Sequence, residues 1–382
     1  MIAKIRSTPR PLTAIFFLCA SGTSAAWDFA GFDPAAMGMG GAGVALSGRT
    51  GATANPAQLS LADTRSDVLV DMARLGRQRE FSTDLAGASS NFRIAAQALE
   101  QSQSDADKLT VIGSMQALAG TAKTRHIFAG GRIAFPNLPV ALGAEVNASF
   151  VERLAPEFSG PEGVYTPGAS VSIVRKAVTT IETGALFSGV VRGNAGQDRT
   201  ALGFAPKLLS VRSYFGVAPA ESANINSIPT QTRETGKLNF DFGIVQELGF
   251  DWKFGARVRN AVPFSVAASD SGSAAFHNRP AVRVGVAHRA QRWMIALDSD
   301  VNANGGYDWE ERRRVVSLGG EYQTNDWLQL RVGAFIDAAA QTKDNSGVSA
   351  GLGVAAGYLN ADIGAMLTRR DWVLAGRLGL AF

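Results

Sequence analysis

After residue 125 the chain alternates apolar and polar residues with a period of two, segment after segment. From Val140 one face reads Val140, Leu142, Ala144, Val146, Ala148 and Phe150; the other reads Gly143, Glu145, Asn147 and Ser149. From Phe250 the apolar face is Phe250, Trp252, Phe254, Ala256 and Val258, against Asp251, Lys253, Gly255, Arg257 and Arg259. Val282/Val284/Val286 against Arg283/Gly285, Leu328/Leu330/Val332 against Gln329/Arg331/Gly333, and Leu359/Ala361/Ile363 against Asn360/Asp362/Gly364 repeat the pattern. Successive side chains of a strand point to opposite faces, so each segment is a strand with one apolar face. A soluble antiparallel sheet would need helices or a second sheet over those faces. Little helical pattern is available after residue 125 to supply them. A closed barrel in lipid needs no such cover. The expected fold class is all-β, a transmembrane antiparallel β-barrel of about 14 strands.

The expected strands begin near residues 66, 126, 138, 173, 199, 237, 249, 280, 292, 312, 327, 347, 358 and 371. Short connections, as at Pro136-Asn137 and Ala290-Gln291, alternate with longer ones, as over 76–125, 216–236 and 261–279. Outer-membrane barrels show this difference between periplasmic turns and outer loops. Mean hydropathy near zero fits too, because each strand averages an apolar and a polar face.

The first residues read as a leader. Lys4, Arg6 and Arg10 precede an apolar core over 11–20, and Ser24-Ala25-Ala26 is an A-x-A-like cleavage site. The expected division is a signal peptide over 1–26, a luminal plug (hatch) over 27–65 and the barrel over 66–382. Leu18 stands before Cys19 where a lipid-modification signal wants a small residue. Cleavage after Ala26 would remove the sole cysteine, and with it disulfides and thiolate metal sites. It would also remove three basic residues and no acidic one, taking the net charge from +4 to +1. A nucleic-acid partner then loses its electrostatic support. The expected location is the bacterial outer membrane.

The last segment ends the pattern on an aromatic residue. Trp372, Leu374, Gly376, Leu378, Leu380 and Phe382 share one face, and Ala375, Arg377, Gly379 and Ala381 the other. This arrangement resembles the signal read by the outer-membrane barrel assembly machinery, an expected partner. Trp252, Trp293, Trp309, Trp327 and Trp372 lie near strand ends, as interfacial girdle residues do.

Residues 91–119 break the strand pattern. Phe92, Ala95, Ala96 and Leu99 form an i, i+3, i+4, i+7 stripe, Ser104 with Asp107 marks a helix start, and Leu109, Ile112, Met115 and Leu118 form a second apolar face. The expectation is a helical hairpin in the first outer loop, packed as a cap on the barrel mouth. The competing reading makes it an entry groove for an apolar ligand.

Met37 to Leu59 (MGMGGAGVALSGRTGATANPAQL) is rich in glycine and poor in charge. Its Gly38 to Gly43 matches G-x-G-x-x-G, but no strand precedes it, so a dinucleotide loop is set aside. The glycines instead suit backbone packed inside a crowded lumen. A Met-Gly-Gly-Ala-Gly-Val-Ala segment, then Asn-Pro-Ala, then a barrel ending in Phe resembles the FadL-type outer-membrane family. The likeness is closer to its TraF-like conjugal-transfer branch. Arg257 to Pro263, Arg283 to Ala287, Asn325 to Gly333 and Val348 to Gly353 are also similar, in the same order along the chain. The resemblance implies a fourteen-stranded barrel with an N-terminal plug, and carries plug roles to Gly40, Gly41, Gly43, Asn55 and Pro56.

His126, His277 and His288 form no HExxH. Neither an enzyme, a cofactor nor a metal is expected. Asp251, Lys253, Arg257, Arg259, Arg283, Asp298, Asp300, Arg331 and Arg377 are expected to face a hydrated lumen as charge pairs. Outer-membrane lipid and lipopolysaccharide are expected partners, the latter through 310–314, which carries three consecutive arginines. Two functions follow: binding or passing hydrophobic small molecules, or serving envelope proteins of a conjugation or secretion apparatus without transport.

Overall fold

The structure is a computed structural model that describes residues 33–46, 54–62, 66–80, 84–119, 121–158, 171–193, 198–220, 228–249, 251–267, 274–310, 312–339 and 346–382. The leader, Cys19, and 27–32, 47–53 and 63–65 of the expected plug lie outside the described residues. The strands are β1 Leu69–Glu80, β2 Lys123–Phe135, β3 Ala141–Phe158, β4 Val171–Arg192, β5 Arg199–Pro219, β6 Gln231–Leu248, β7 Trp252–Arg259, β8 Phe264–Ala267, β9 Ala274–Asn278, β10 Ala281–Ala290, β11 Trp293–Asp300, β12 Val315–Gln323, β13 Leu328–Asp337, β14 Gly347–Ala356, β15 Leu359–Thr368 and β16 Asp371–Ala381. Fourteen of them close into one antiparallel barrel, while β8 and β9 pair separately. The closing seam joins β1 to β16, from Leu69 opposite Ala381 to Glu80 opposite Asp371. Closure gives each of the fourteen barrel strands a neighbour on both sides.

The two faces of the wall are inverted relative to a soluble protein. Leu75, Val146, Ile181, Leu208, Ile295, Val332 and Ile363 point outward and are exposed, whereas Arg74, Arg132, Asp298, Arg331, Asp362 and Arg377 point inward and are buried. That inversion distinguishes an outer-membrane-type barrel from a sheet closed on an apolar core. No described helix is long and apolar enough to cross a membrane.

Short turns gather at one end. They include 291–292, 324–327 and 357–358, with Phe382 and the start of β1 beside them. Here Trp252 stacks on His288 at 4.7 Å, Trp293 meets Tyr322 at 4.5 Å and Tyr358 stacks on Phe382 at 5.7 Å. Such a ring of amphipathic aromatics sits at a membrane interface. Trp309 departs from the girdle expectation. It stacks on Tyr307 at 5.1 Å inside an apolar cluster of the long loops.

At the long-loop end β4 and β5 run 22 and 21 residues, well beyond the ~9–11 that cross a bilayer. Their projecting ends carry the helical hairpin α2 Leu85–Ser102 and α3 Asp105–Ala119. α2 begins six residues before the expected 91, because Asp84 caps it by accepting the Gly87 N–H at 2.9 Å. Ser104 caps α3 as expected, accepting the Asp107 N–H at 3.1 Å. Phe92, Leu99, Val111, Met115 and Leu118 pack against Leu154, Ile173, Val171 and Ala218. Leu154, Ile173 and Val171 lie at even spacing from Val146 and Ile181, on the outward face of β3 and β4. The hairpin is therefore not a cap over the mouth. It covers the apolar outward face of strands that have left the lipid.

Candidate functional site

The N-terminal segment lies against the inner face of the wall. α1 Pro34–Gly38 is capped by Asp33, which accepts the Ala35 N–H at 2.9 Å. A 3-10 turn, Pro56–Leu61, is capped by Asn55 accepting the Ala57 N–H at 3.1 Å. Asn-Pro thus starts a helical turn, with proline where no N–H is needed. α1 meets β13 to β16, and the 3-10 turn meets β3 to β6. Gly40 and Gly41 have φ of +72° and +91°, the left-handed region that favours glycine. Gly43 has another reason: a Cβ there would stand 3.1 Å from Ala54 and 3.2 Å from Ala36.

The wall answers with glycines of its own. Gly203 and Gly243 face each other across β5 and β6, and any side chain there would overlap Pro56-Ala57 and Asn55. Gly319 and Gly333, paired across β12 and β13, press on Met39 and Gly40. Gly351 and Gly364 similarly receive Gly38 and Pro34. Backbone therefore touches backbone at opposite sides of the lumen.

Hydrogen bonds fasten these contacts. Asp298 Oδ2 accepts the Gly43 and Val44 N–H groups at 2.7 and 2.9 Å. The Asn55 carboxamide nitrogen lies 3.0 to 3.2 Å from the carbonyls of Val44, Ile244 and Ala256. Gln58 donates to Gly43 and Val44 carbonyls at 2.6 and 2.9 Å. Arg283 donates to Gly41 O at 3.1 Å, and Arg257 to Ala54 O. Ser349 Oγ accepts the Gly40 N–H at 2.7 Å and donates to Gly38 O at 3.0 Å.

The remaining lumen charges pair with one another. Arg331 bridges Glu321 at 2.8 Å and Asp362 at 2.6 Å, and Arg377 also holds Asp362. Asp300 takes Arg283 at 2.6 Å and the Val315 N–H at 2.9 Å. Arg259 binds Glu182 at 2.9 Å, and Lys253 binds Glu247 at 2.7 Å. Asp251 is the exception. It lies at φ +61° in the β6–β7 turn, where its carbonyl accepts the Arg289 N–H at 3.1 Å. Its alternation is right for the lumen, but the strand begins one residue later. Asp71, Arg74, Arg132 and Lys207 are buried as well: Arg132 binds Asp71 at 2.9 Å, Arg74 lies 3.8 Å from the half-buried Glu145, and Lys207 binds Glu182 at 3.3 Å. Alternation along β3 and β5 marks Glu145 and Lys207, whereas Asp71 and Arg74, three residues apart, both face inward because the ladder shifts register between them.

Toward the long-loop end, an apolar cluster stands on the inner face. Val178, Leu209 and Val211 of the wall meet Val266 and Phe276 of the β8–β9 hairpin, with Phe215, Phe264, Tyr307 and Trp309 packed around them. At its rim Ser265 Oγ and His277 Nδ1 lie 2.9 Å apart. Burial pushes the His277 imidazole below its ordinary value, helped by Arg279, and burial raises the Asp308 carboxyl. Among the described residues no cluster of His, Cys, Asp and Glu could hold a metal ion.

Trp372, Leu374, Leu378, Leu380 and Phe382 line the outward face of the seam strand; Phe382 N donates to Val68 O at 2.9 Å.

Residues 52–300 match the model of a protein family described as F plasmid transfer operon, TraF, protein. No curated protein matches by sequence. Among solved structures, the Pseudomonas putida toluene transporter TodX is 14% identical, with a TM-score of 0.54 over 93% of this chain and 99% of that one. A deltaS2S3 mutant of TodX, described as a monoaromatic hydrocarbon channel, is 11% identical, with a TM-score of 0.57 over 91% and 98%. A deltaS2 mutant of the same channel is 12% identical, with a TM-score of 0.56 over 93% and 100%. At such identities the likeness is one of fold.

Proposed function

The chain belongs to the TraF family so described, and from that premise we propose that it binds small apolar molecules at its outer mouth and passes them inward. Residues 33–46 and 54–62 stand as a plug between that mouth and the periplasm. The observation that carries the reading is the aromatic cluster of Phe215, Phe264, Phe276, Tyr307 and Trp309 on the inner face. Apolar side chains have no reason to gather inside a charged lumen unless they close on themselves or on an apolar guest. TodX, with the same fold, is described as a hydrocarbon channel, which favours the guest. On this reading the leader is cleaved and the protein resides in the outer membrane. The final strand serves as its assembly signal.

The test is binding of toluene or a medium-chain alkane to purified protein, followed by quenching of tryptophan fluorescence, together with uptake in a deletion strain. Saturable quenching and slower uptake support the reading. No quenching and unchanged uptake sink it.

A second reading is a barrel that serves a conjugation or secretion apparatus without transport. The dense fastening of 33–46 and 54–62 to the wall and the family's description favour it. A mating or secretion defect with normal uptake would select this reading.

A further inference from the structure

We propose that the outward face of β1 to β4, beneath the start of α2, binds the phosphates of an outer-leaflet glycolipid. A cavity of about 360 Å³ lies there. Its charged lining is Arg77, Arg79, Lys123, Arg125 and Arg175 with the carboxylates of Glu152 and Asp84. Glu152 is already engaged: Arg125 binds it at 2.5 Å and Arg175 at 2.8 Å. Arg77, Arg79 and Lys123 have no ion-pair partner among the described residues. Five cations around two carboxylates, Glu152 held by two arginines and Asp84 capping α2, leave a positive potential that an anion relieves. Forked guanidinium donors match phosphate oxygens well.

The surroundings specify a lipid. Arg77 pairs across the strands with Leu374 on one side and Ile127 on the other, both outward and exposed. Arg79 pairs with Trp372 and with Arg125, whose guanidinium lies 5.5 Å above the Phe150 ring. The basic row thus sits one step outside the lipid-facing band, at the level of an interfacial tryptophan. This is the end that carries the long connections, the outer side of such barrels. An occupant must present phosphates at the interface and acyl chains along Leu75, Ile127 and Leu374. A bisphosphorylated, multiply acylated glucosamine lipid has that form. Its second phosphate suits the division between Arg77/Arg79 and Arg125/Arg175. This site lies outside the lumen, so its test is independent of the apolar passage proposed above.

The experiment titrates full-length detergent-purified protein with bisphosphoryl lipid A and reads bound lipid by native mass spectrometry. Parallel arms use dephosphorylated lipid A, phosphatidylglycerol and inorganic phosphate. Wild-type protein should retain the bisphosphorylated lipid, and lose about tenfold in affinity on its dephosphorylation. The double variant Arg77→Gln/Arg79→Gln should lose a similar factor. Arg212→Gln, at an exposed pair on β5, should lose none. Heat-shifted gel migration confirms that each variant is a folded barrel. Equal binding with and without the phosphates overturns the site on the unaltered protein alone. Full competition by equimolar inorganic phosphate or phosphatidylglycerol overturns the glycolipid, as does unchanged binding by the folded double variant.

Discussion

Asn55 and Gly243 share one place: the Asn55 side-chain oxygen occupies the space a Cβ at residue 243 would fill. The wall residue is small so that a segment almost two hundred positions earlier can lie against it. Gly243→Val should improve the local strand propensity of β6 and still expel Asn55. The expected outcome is a barrel that folds by gel migration but exposes residues near 57 to labelling through an introduced Ala57→Cys. Planar-bilayer conductance should rise, as it should when 37–59 is deleted. Unchanged conductance and protected labelling would show that the segment tolerates the intrusion.

Asp298 and Asp300 share a strand face but do different work. Asp298 holds the segment through two backbone N–H groups, while Asp300 holds Arg283 and the wall. Hydrogen bonds to a charged group contribute about 1.5–3 kcal/mol each. Asp298→Ala should therefore raise conductance with little loss of barrel stability. Asp300→Asn should lower the urea midpoint and leave conductance closer to wild type.

Arg331 is the sole link seen between Glu321 and Asp362. Removing one partner of a buried ion pair costs about 3–5 kcal/mol. Arg331→Met should lower the temperature at which the folded gel band is lost. Adding Glu321→Gln should recover part of that loss, since one fewer carboxylate is then left buried without its cation.

Phe276 joins the β8–β9 hairpin to Tyr307, their rings 5.7 Å apart. If the mouth receives an apolar guest, Phe276→Ala should weaken toluene binding about tenfold, consistent with ~1.5–3 kcal/mol for a fully buried apolar side chain. Trp309 fluorescence reads this directly. A variant binding as tightly as wild type would remove the cluster from the ligand site.

Phe382 closes the seam end by its backbone bond to Val68 and its stack on Tyr358. Deleting Phe382 should sharply reduce outer-membrane levels while refolding in detergent proceeds. Equal loss in both assays would mean the residue acts through stability rather than as an assembly signal.

The period-two alternation specified the number of barrel strands, the apolar outward face and, through connection length, which end is which. It could do so because side-chain direction within a strand is a local property of the backbone. The β4 and β5 strands follow that logic up to the register shift between Val190 and Arg192, and so does the charge on Arg257, Arg283 and Arg331. The helix caps at Asp84 and Ser104 are equally local, although Asp84 stands well ahead of the apolar stripe that begins at Phe92.

What depended on the tertiary structure was every choice of partner. Nothing in 37–59 says that Gly243 rather than Gly236 receives Asn55, or that Asp298 takes two N–H groups while Asp300 takes an arginine. Those choices are set when fourteen strands close with a definite stagger, bringing residues hundreds of positions apart onto one ring. The same closure carried β3 to β5 past the lipid, so that the amphipathic hairpin found its apolar partner outside the wall instead of over the mouth. An alternating pattern records which way a side chain points; only the closed barrel supplies what it meets there.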